Sequence, residues 1–301
     1  MSSIPSELET IRDWLRHAVS RFESERVTYG HGTDNAFDEA VFLILASLHL
    51  PLDRLEPFLD ARVTIAERAT LNAAIERRAV DRVPVAYLTK QAWLGDFKFY
   101  VDERVVIPRS FIAELLRDRM SPWVHDDALV TSVLDMCTGS GCLAILAADA
   151  FPNADVDAVD LSADALAVAQ HNVAEFGLQD RINLLRSDLF QNINAEDKTY
   201  DLIVCNPPYV TQAAMADLPG EYRCEPEMGL ASGEDGMDAI RRIVVDARGY
   251  LNVGGLLVVE VGHNRNIVEA AFPELPFTWL STSSSVDKVF LLHRDELPVK
   301  T

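Results

Sequence analysis

Basic residues are scarce in this chain of 301 residues: 27 Lys and Arg stand against 47 Asp and Glu, for a formal net charge of −20. The deficit is uneven, with 11 basic against 14 acidic side chains in residues 1–90 and 16 against 33 in residues 91–301. A surface of that sign repels phosphate backbones and draws basic partners, so nucleic acid fits poorly as a substrate. Cysteine is scarce too. Cys137, Cys142, Cys205 and Cys224 form no Cys-x-x-Cys pair, so free thiols in a reducing compartment are expected, with neither a disulfide framework nor a metal site. Long apolar runs are missing. The most apolar window, AVFLILASLHLPL (40–52), is too short to span a bilayer and contains His49. The opening MSSIPSELET has no basic segment followed by an apolar one, so no signal peptide is expected. These absences point to a soluble cytoplasmic protein without a membrane partner.

What is present is 49% hydrophobic residues, enough for a sizeable core. Residues 5–80 read as helical. Ile11, Leu15, Val19 and Phe22 recur at spacings of three and four. A second helix is expected to open with Thr33 and Asp34 as caps and to stop at Pro51. A third begins with Thr64 and Glu67 in capping-box spacing. WLGDFKFYVDERVVI (93–107) alternates and carries aromatics, as a hairpin would. The helical RSFIAELLRDRM follows Pro108.

From residue 131 strands and helices alternate: TSVLDM, GCLAILAADAF, ADVDAVD, SADALAVAQHNVAEF capped by Ser162 and closed by Gly177, INLLR, YDLIVC, MDAIRRIVVDARGYL and GLLVVEV. That alternation predicts an α/β fold with a parallel sheet covered on both faces. Ligands of such sheets bind at the carboxyl ends of the strands. The domain organisation expected is 1–90 helical, 91–110 a hairpin linker and 111–301 the α/β domain.

Four strand ends carry candidate chemistry. LDMCTGSGCLA (134–144) ends a strand at Asp135 and opens a helix through Gly139 and Gly141, with Ala144 in the third slot of a G-x-G-x-x-G/A pattern. Glycines admit a ligand close to the backbone, and the helix start offers free N–H groups. Alone, this fits NAD, FAD or S-adenosylmethionine. Asp160, 19 residues beyond Gly141, stands near the spacing of a ribose-binding acid. Asp188, in RSDLF, is placed to accept from an adenine amino group. The fourth end is VCNPPYV (204–210). There the Asn206 carboxamide and the Pro207 carbonyl offer two rigid acceptors, and Tyr209 a flat ring. Two acceptors and a flat surface suit a planar NH₂ group.

The combination resembles S-adenosylmethionine-dependent methyltransferases acting on planar amino groups, in which Asn-Pro-Pro-Tyr serves adenine, cytosine or protein glutamine. Over nearly its whole length the chain is similar to the protein N(5)-glutamine methyltransferases, through NPPYV, EPEMGLASGEDG (225–236) and VIPRS (106–110). The stretches 19–41, 82–110 and 134–145 look like the branch that methylates the third protein of the large ribosomal subunit. The release-factor branch usually has Pro-Glu-Thr-Glu after its Pro-Arg and a glycine at the position of Cys137, where this chain has Ser110-Phe111-Ile112-Ala113 and cysteine.

The resemblance implies a Rossmann-like methyltransferase domain with a small N-terminal helical domain joined by a β-hairpin, and a basic ribosomal protein as partner. It implies that Asp135, Thr138, Gly139 and Gly141 line the methionine end of S-adenosylmethionine. Asp160 would meet the ribose and Asp188 the adenine, with Cys137, Leu161 and Leu189 also binding the cofactor. Asn206 and Pro207 would hold the glutamine amide, with Asn206 also bordering the cofactor and Pro208 and Tyr209 packed alongside. The helical domain would select the protein partner, with YGHGTDN (29–35) as part of that surface and His31 structural. Rival readings are a release-factor glutamine methyltransferase, a DNA amino-methyltransferase, against which the acidic catalytic half speaks, and a noncatalytic adenosylmethionine-binding assembly factor.

Overall fold

An apolar stripe at positions 11, 14, 15, 18 and 22 makes the first helix amphipathic. Helix α1 (Ile11–Ser24) buries Ile11, Trp14, Leu15, Ala18 and Phe22, while Val19 is only half-buried. Its capping box is Thr10 with Asp13. The computed structural model describes residues 7–283 and 285–299. The start of the opening stretch read for a signal peptide, residues 1–6, lies outside the described residues.

Helix α2 (Ala36–Ser47) is not capped by Thr33 or Asp34 but by Asn35, whose side-chain oxygen accepts the Asp38 N–H at 2.9 Å. The cap must directly precede the first helical residue, and Asn is among the best there. Thr33 instead donates its hydroxyl to Glu39. The helix also ends before Pro51. His49 adopts φ 57°, and the Leu50 N–H returns to the Leu45 carbonyl, so a left-handed turn terminates it. Helix α3 (Ile65–Ala79) carries the Thr64–Glu67 capping box that the spacing predicts, and α4 spans Val85–Thr89.

These helices belong to a unit of Met1–Ala92, Val101–Glu103 and Leu218–Cys224. Trp14, Phe22, Leu43, Leu71 and Ile75 form its core. At its centre the buried Arg78 reaches Glu39 at 2.5 Å and Glu221 at 3.1 Å.

The second unit comprises Trp93–Tyr100, Arg104–Asp217 and Glu225–Thr301. Strands β1 (Gln91–Leu94) and β2 (Phe97–Tyr100) form a hairpin that starts earlier and ends sooner than the 93–107 stretch read as one, since residues 101–107 carry no strand. Phe97 and Phe99 pack on Phe176, and Asn172 bonds both backbone groups of Tyr100. Helix α5 (Ile112–Arg117) follows.

The main sheet contains β3 (Ser132–Met136), β4 (Asp155–Asp160), β5 (Ile182–Arg186), β6 (Tyr200–Cys205), β7 (Leu251–Glu260), β8 (Thr278–Leu280) and β9 (Val289–His293), in the order β5-β4-β3-β6-β7-β9-β8. Five strands are parallel, as the alternation predicts. The sheet is not wholly parallel, however: β9 and β8 add an antiparallel edge beyond the last strand read from the sequence. Helices α6 (Cys142–Ala150), α7 (Ala163–Glu175), α8 (Gln212–Asp217), α9 (Asp238–Asp246) and α10 (Arg265–Ala271) complete the unit. Strand β3 runs one residue past Asp135. The helix expected over 237–251 stops at Asp246 and tightens into a 3₁₀ turn, Ala247–Tyr250, before β7 begins.

Strand order reverses at β3, whose neighbours are β4 and β6. The carboxyl ends of β3 and β6 therefore flank the switch point, where a crevice forms in open α/β sheets. Among the described residues no helix is long and apolar enough to cross a membrane.

Candidate active site

The first wall of the site is the turn from β3 into α6. Asp135 is wholly buried. One of its oxygens accepts from the Thr138 hydroxyl at 2.5 Å and the Ala144 N–H at 2.9 Å. Its other oxygen has no partner among the described residues, and neither does the buried Ser140 hydroxyl. Cys137 adopts φ 60°, in the region that glycine enters most freely, and its side chain is half-buried. Gly139 also has positive φ, and a Cβ built there would meet nothing within 4 Å, so the backbone is open to a ligand. At Gly141 a Cβ would come within 3.2 Å of Ala169, so this glycine lets α6 and α7 pack closely.

Asp160 ties the second wall to the first. Its two oxygens accept the Gly139 and Ser162 N–H groups, both at 2.9 Å. Burial raises its carboxyl, against the pull of the Ser162, Gly139 and Leu161 N–H groups. Burial likewise pushes Asp135 up to about 7, with Thr138 and the Ala144 N–H opposing and the nearby Asp160 charge adding to the rise. Two desolvated carboxyls at one edge favour a cation beside them. Leu161 is exposed next to Asp160. At the end of β5, Asp188 is held by Arg242 at 2.8 Å and Gln191 at 3.0 Å, partners its motif did not announce. Leu189 beside it is buried at φ 52°.

The third wall is the loop after β6. Among the described residues no protein group hydrogen-bonds the Asn206 carboxamide or the Pro207 carbonyl. Pro207 is buried, and Asn206, Pro208 and Tyr209 are half-buried. Tyr209 is clamped. Its carbonyl accepts from Asn264 at 2.7 Å, its ring lies where a Cβ on Gly262 would stand 2.6 Å away, and its carbonyl leaves no room for a Cβ on Gly236. Burial, followed by the nearby Glu260 charge, drives the phenol well above its usual range.

The family motifs around this loop form one assembly. Val210 pairs in parallel with Ala231 of the 225–236 segment, through Val210 N–H to Leu230 O and Ser232 N–H to Val210 O. Glu225, at the start of that segment, takes a bidentate grip from Arg109 of VIPRS at 2.5 and 2.6 Å and accepts the Ile107 N–H. Ser110 donates to Glu260 at 2.6 Å. Sequence reasoning missed Glu260, Asn264 and the Arg109–Glu225 pair. Only the position of VEVGHN at the end of the strand beside β6 could have signalled the first two. No sequence pattern joins residues 109 and 225.

A glycine turn at the end of β3, acids at the ends of β3, β4 and β5, and a rigid acceptor loop at the end of β6 define an S-adenosylmethionine-dependent methyltransferase of Rossmann-like α/β fold. Its own residues fit that cofactor: an orphaned buried carboxylate oxygen, an open glycine cradle and two carboxyls raised by burial are what a cationic, hydrogen-bonding ligand would relieve. Residues 115–219 match the family model "Methyltransferase small domain". The crystal structure of the hMettl16 catalytic domain shares the fold, with a TM-score of 0.50 at 14% identity over 79% of this chain and 85% of that one. A ribosomal protein uL3 glutamine methyltransferase of Burkholderia pseudomallei is 57% identical over 99% of both chains. Those of Bordetella pertussis and Neisseria gonorrhoeae are 58% and 57% identical over 97% of this chain and 97% and 96% of theirs. The chain belongs to this family of uL3 glutamine methyltransferases.

Proposed function

We propose that this protein transfers a methyl group from S-adenosylmethionine to the side-chain amide nitrogen of a glutamine in ribosomal protein uL3. The observation that carries the reading is the Asn206–Pro207 pair, two acceptors with no hydrogen-bond partner among the described residues, in a clamped loop, on a chain more than half identical over its length to uL3 glutamine methyltransferases.

When bound, the cofactor supplies an electrophilic methyl on a sulfonium. Asp135, Cys137, Thr138, Gly139 and Gly141 would hold its methionine end, Asp160 and Leu161 its ribose, and Asp188 and Leu189 its adenine side. The lone pair of an amide nitrogen is delocalised, which makes it a poor nucleophile. Hydrogen bonds from the substrate NH₂ to the Asn206 oxygen and the Pro207 carbonyl raise electron density on nitrogen. They strengthen as positive charge develops there, so they stabilise the transition state more than the ground state. Pro208 and Tyr209 keep the amide plane oriented and water away. The helical unit selects the protein partner through a surface that includes residues 29–35. His31 packs its ring on Tyr222 at 4.5 Å, as a structural residue would. A ribosomal substrate fits a cytoplasmic site of action.

The test is a methyl-transfer assay with labelled donor, uL3 and a release factor in parallel. Label on a uL3 glutamine alone is expected. Asn206→Ala should lose about 100-fold or more in kcat, as removal of a transition-state hydrogen-bond partner does. Label on the release factor alone would refute the substrate and keep the chemistry.

A further inference from the structure

Glu260 ends β7, the strand beside β6, and lies one residue past the Cys205–Val259 pair, level with Asn206. It is 2% exposed, and a carboxylate without water needs donors. One oxygen has two of them, the Ser110 hydroxyl at 2.6 Å and the Phe111 N–H at 2.9 Å. The other faces the Tyr209 hydroxyl at 3.4 Å. The proposed reaction does not use Glu260. We propose that Glu260 is a positioning residue for methyl transfer, whose ionised carboxylate anchors the Tyr209 hydroxyl and so holds the Asn206–Pro207 acceptors in the orientation that receives the substrate amide. This rests on the amide-methylation reading and adds a residue to it.

The other restraints on Tyr209, from Asn264, Gly236 and Gly262, act on its carbonyl and ring face. Glu260 is what the structure places at the hydroxyl end. The ionised carboxyl accepts from all three donors, whereas a proton on the oxygen facing Tyr209 would be donated to the phenol oxygen and reverse that bond. Burial raises this carboxyl to about 7, opposed by Ser110, the Phe111 N–H, the Arg109 charge and the Tyr209 hydroxyl. Arg109 is itself paired with Glu225. Tyr209 therefore donates to a charged acceptor above neutrality, and that charge-assisted bond gives way to the weaker neutral one as pH falls through about 7.

The test uses the full chain labelled with ¹³C at tyrosine Cζ. The Tyr209 resonance, assigned by its loss in Tyr209→Phe, should titrate over about two pH units around neutrality and be flat in Glu260→Gln. Ser110→Ala, which removes a donor to the carboxylate, should move that titration to higher pH and serves if the Gln variant fails to fold. A native resonance that does not titrate overturns the proposal. With donor and uL3, Glu260→Gln should lower kcat about 10-fold, leave donor affinity within about twofold, and add little on a Tyr209→Phe background. Unchanged kcat, or fully multiplicative effects, also overturns it. If the native protein methylates no protein, the reaction reading fails, and the titration still decides whether Glu260 anchors Tyr209.

Discussion

Asp135 is buried with one oxygen bonded and the other without a partner among the described residues, and burial pushes its folded-state carboxyl up to about 7, above the ordinary carboxylate range. The folded protein then binds more protons than the unfolded chain across that interval, so this residue's contribution to stability falls as pH rises from about 4 to about 7. Asp135→Asn removes the titration. In the cofactor-free protein its melting temperature relative to the native chain should rise through the same window, as thermal denaturation at several pH values would show; a constant difference would refute the buried-carboxyl account. Asp135 could be singled out as a candidate site residue because a strand-end acid before Gly-x-Gly has few other uses. Its protonation was not, because desolvation depends on what surrounds it. Asp188 shows the same limit: its motif suggested a free acceptor, and the fold supplies Arg242 and Gln191.

Helices announced themselves through period and caps. The stripe of α1 and the capping box of α3 were readable because both depend on residues within one or two turns. The cap of α2 slipped by one or two residues because Thr33, Asp34 and Asn35 are all competent, and tertiary placement of Glu39 drew Thr33 away. The antiparallel edge, β8 and β9, escaped because short apolar runs do not declare their partners. Elements joined by ion pairs are equally silent in sequence. The side chain of Glu225 is fully buried and gripped by Arg109, so Arg109→Met should remove the cation paired with that buried carboxylate and destabilise the protein by about 3 kcal/mol. Urea denaturation measures that loss. Amide exchange should also quicken across 225–236, the segment that pairs with Val210; unchanged exchange there would mean that the pair does not support the loop.

At the scale of the molecule, a net charge of −20 meets a substrate expected to be basic. Opposite charges raise the association rate and are screened by salt. Methyl transfer to free uL3 should therefore lose several-fold in kcat/KM between about 0.05 and 0.3 M salt, with kcat little changed. Insensitivity to salt would separate the acidity of the chain from recognition. The same argument favours free or assembling uL3 over mature ribosomes, where RNA covers the basic surface. Equal methylation of both would sink it.

The sequence by itself determined the α/β alternation, the glycine turn, the Asn-Pro-Pro-Tyr loop and the family, because period, backbone-permissive residues and contiguous motifs are local and survive being read along one line. Only the tertiary structure decided the antiparallel edge of the sheet, the union of VIPRS, NPPYV and 225–236 through Arg109, Glu225 and Val210, and the burial of Asp135 and Glu260. Those depend on which distant residues exclude water from one another, and neither solvent exclusion nor long-range pairing is written at any one place in the chain.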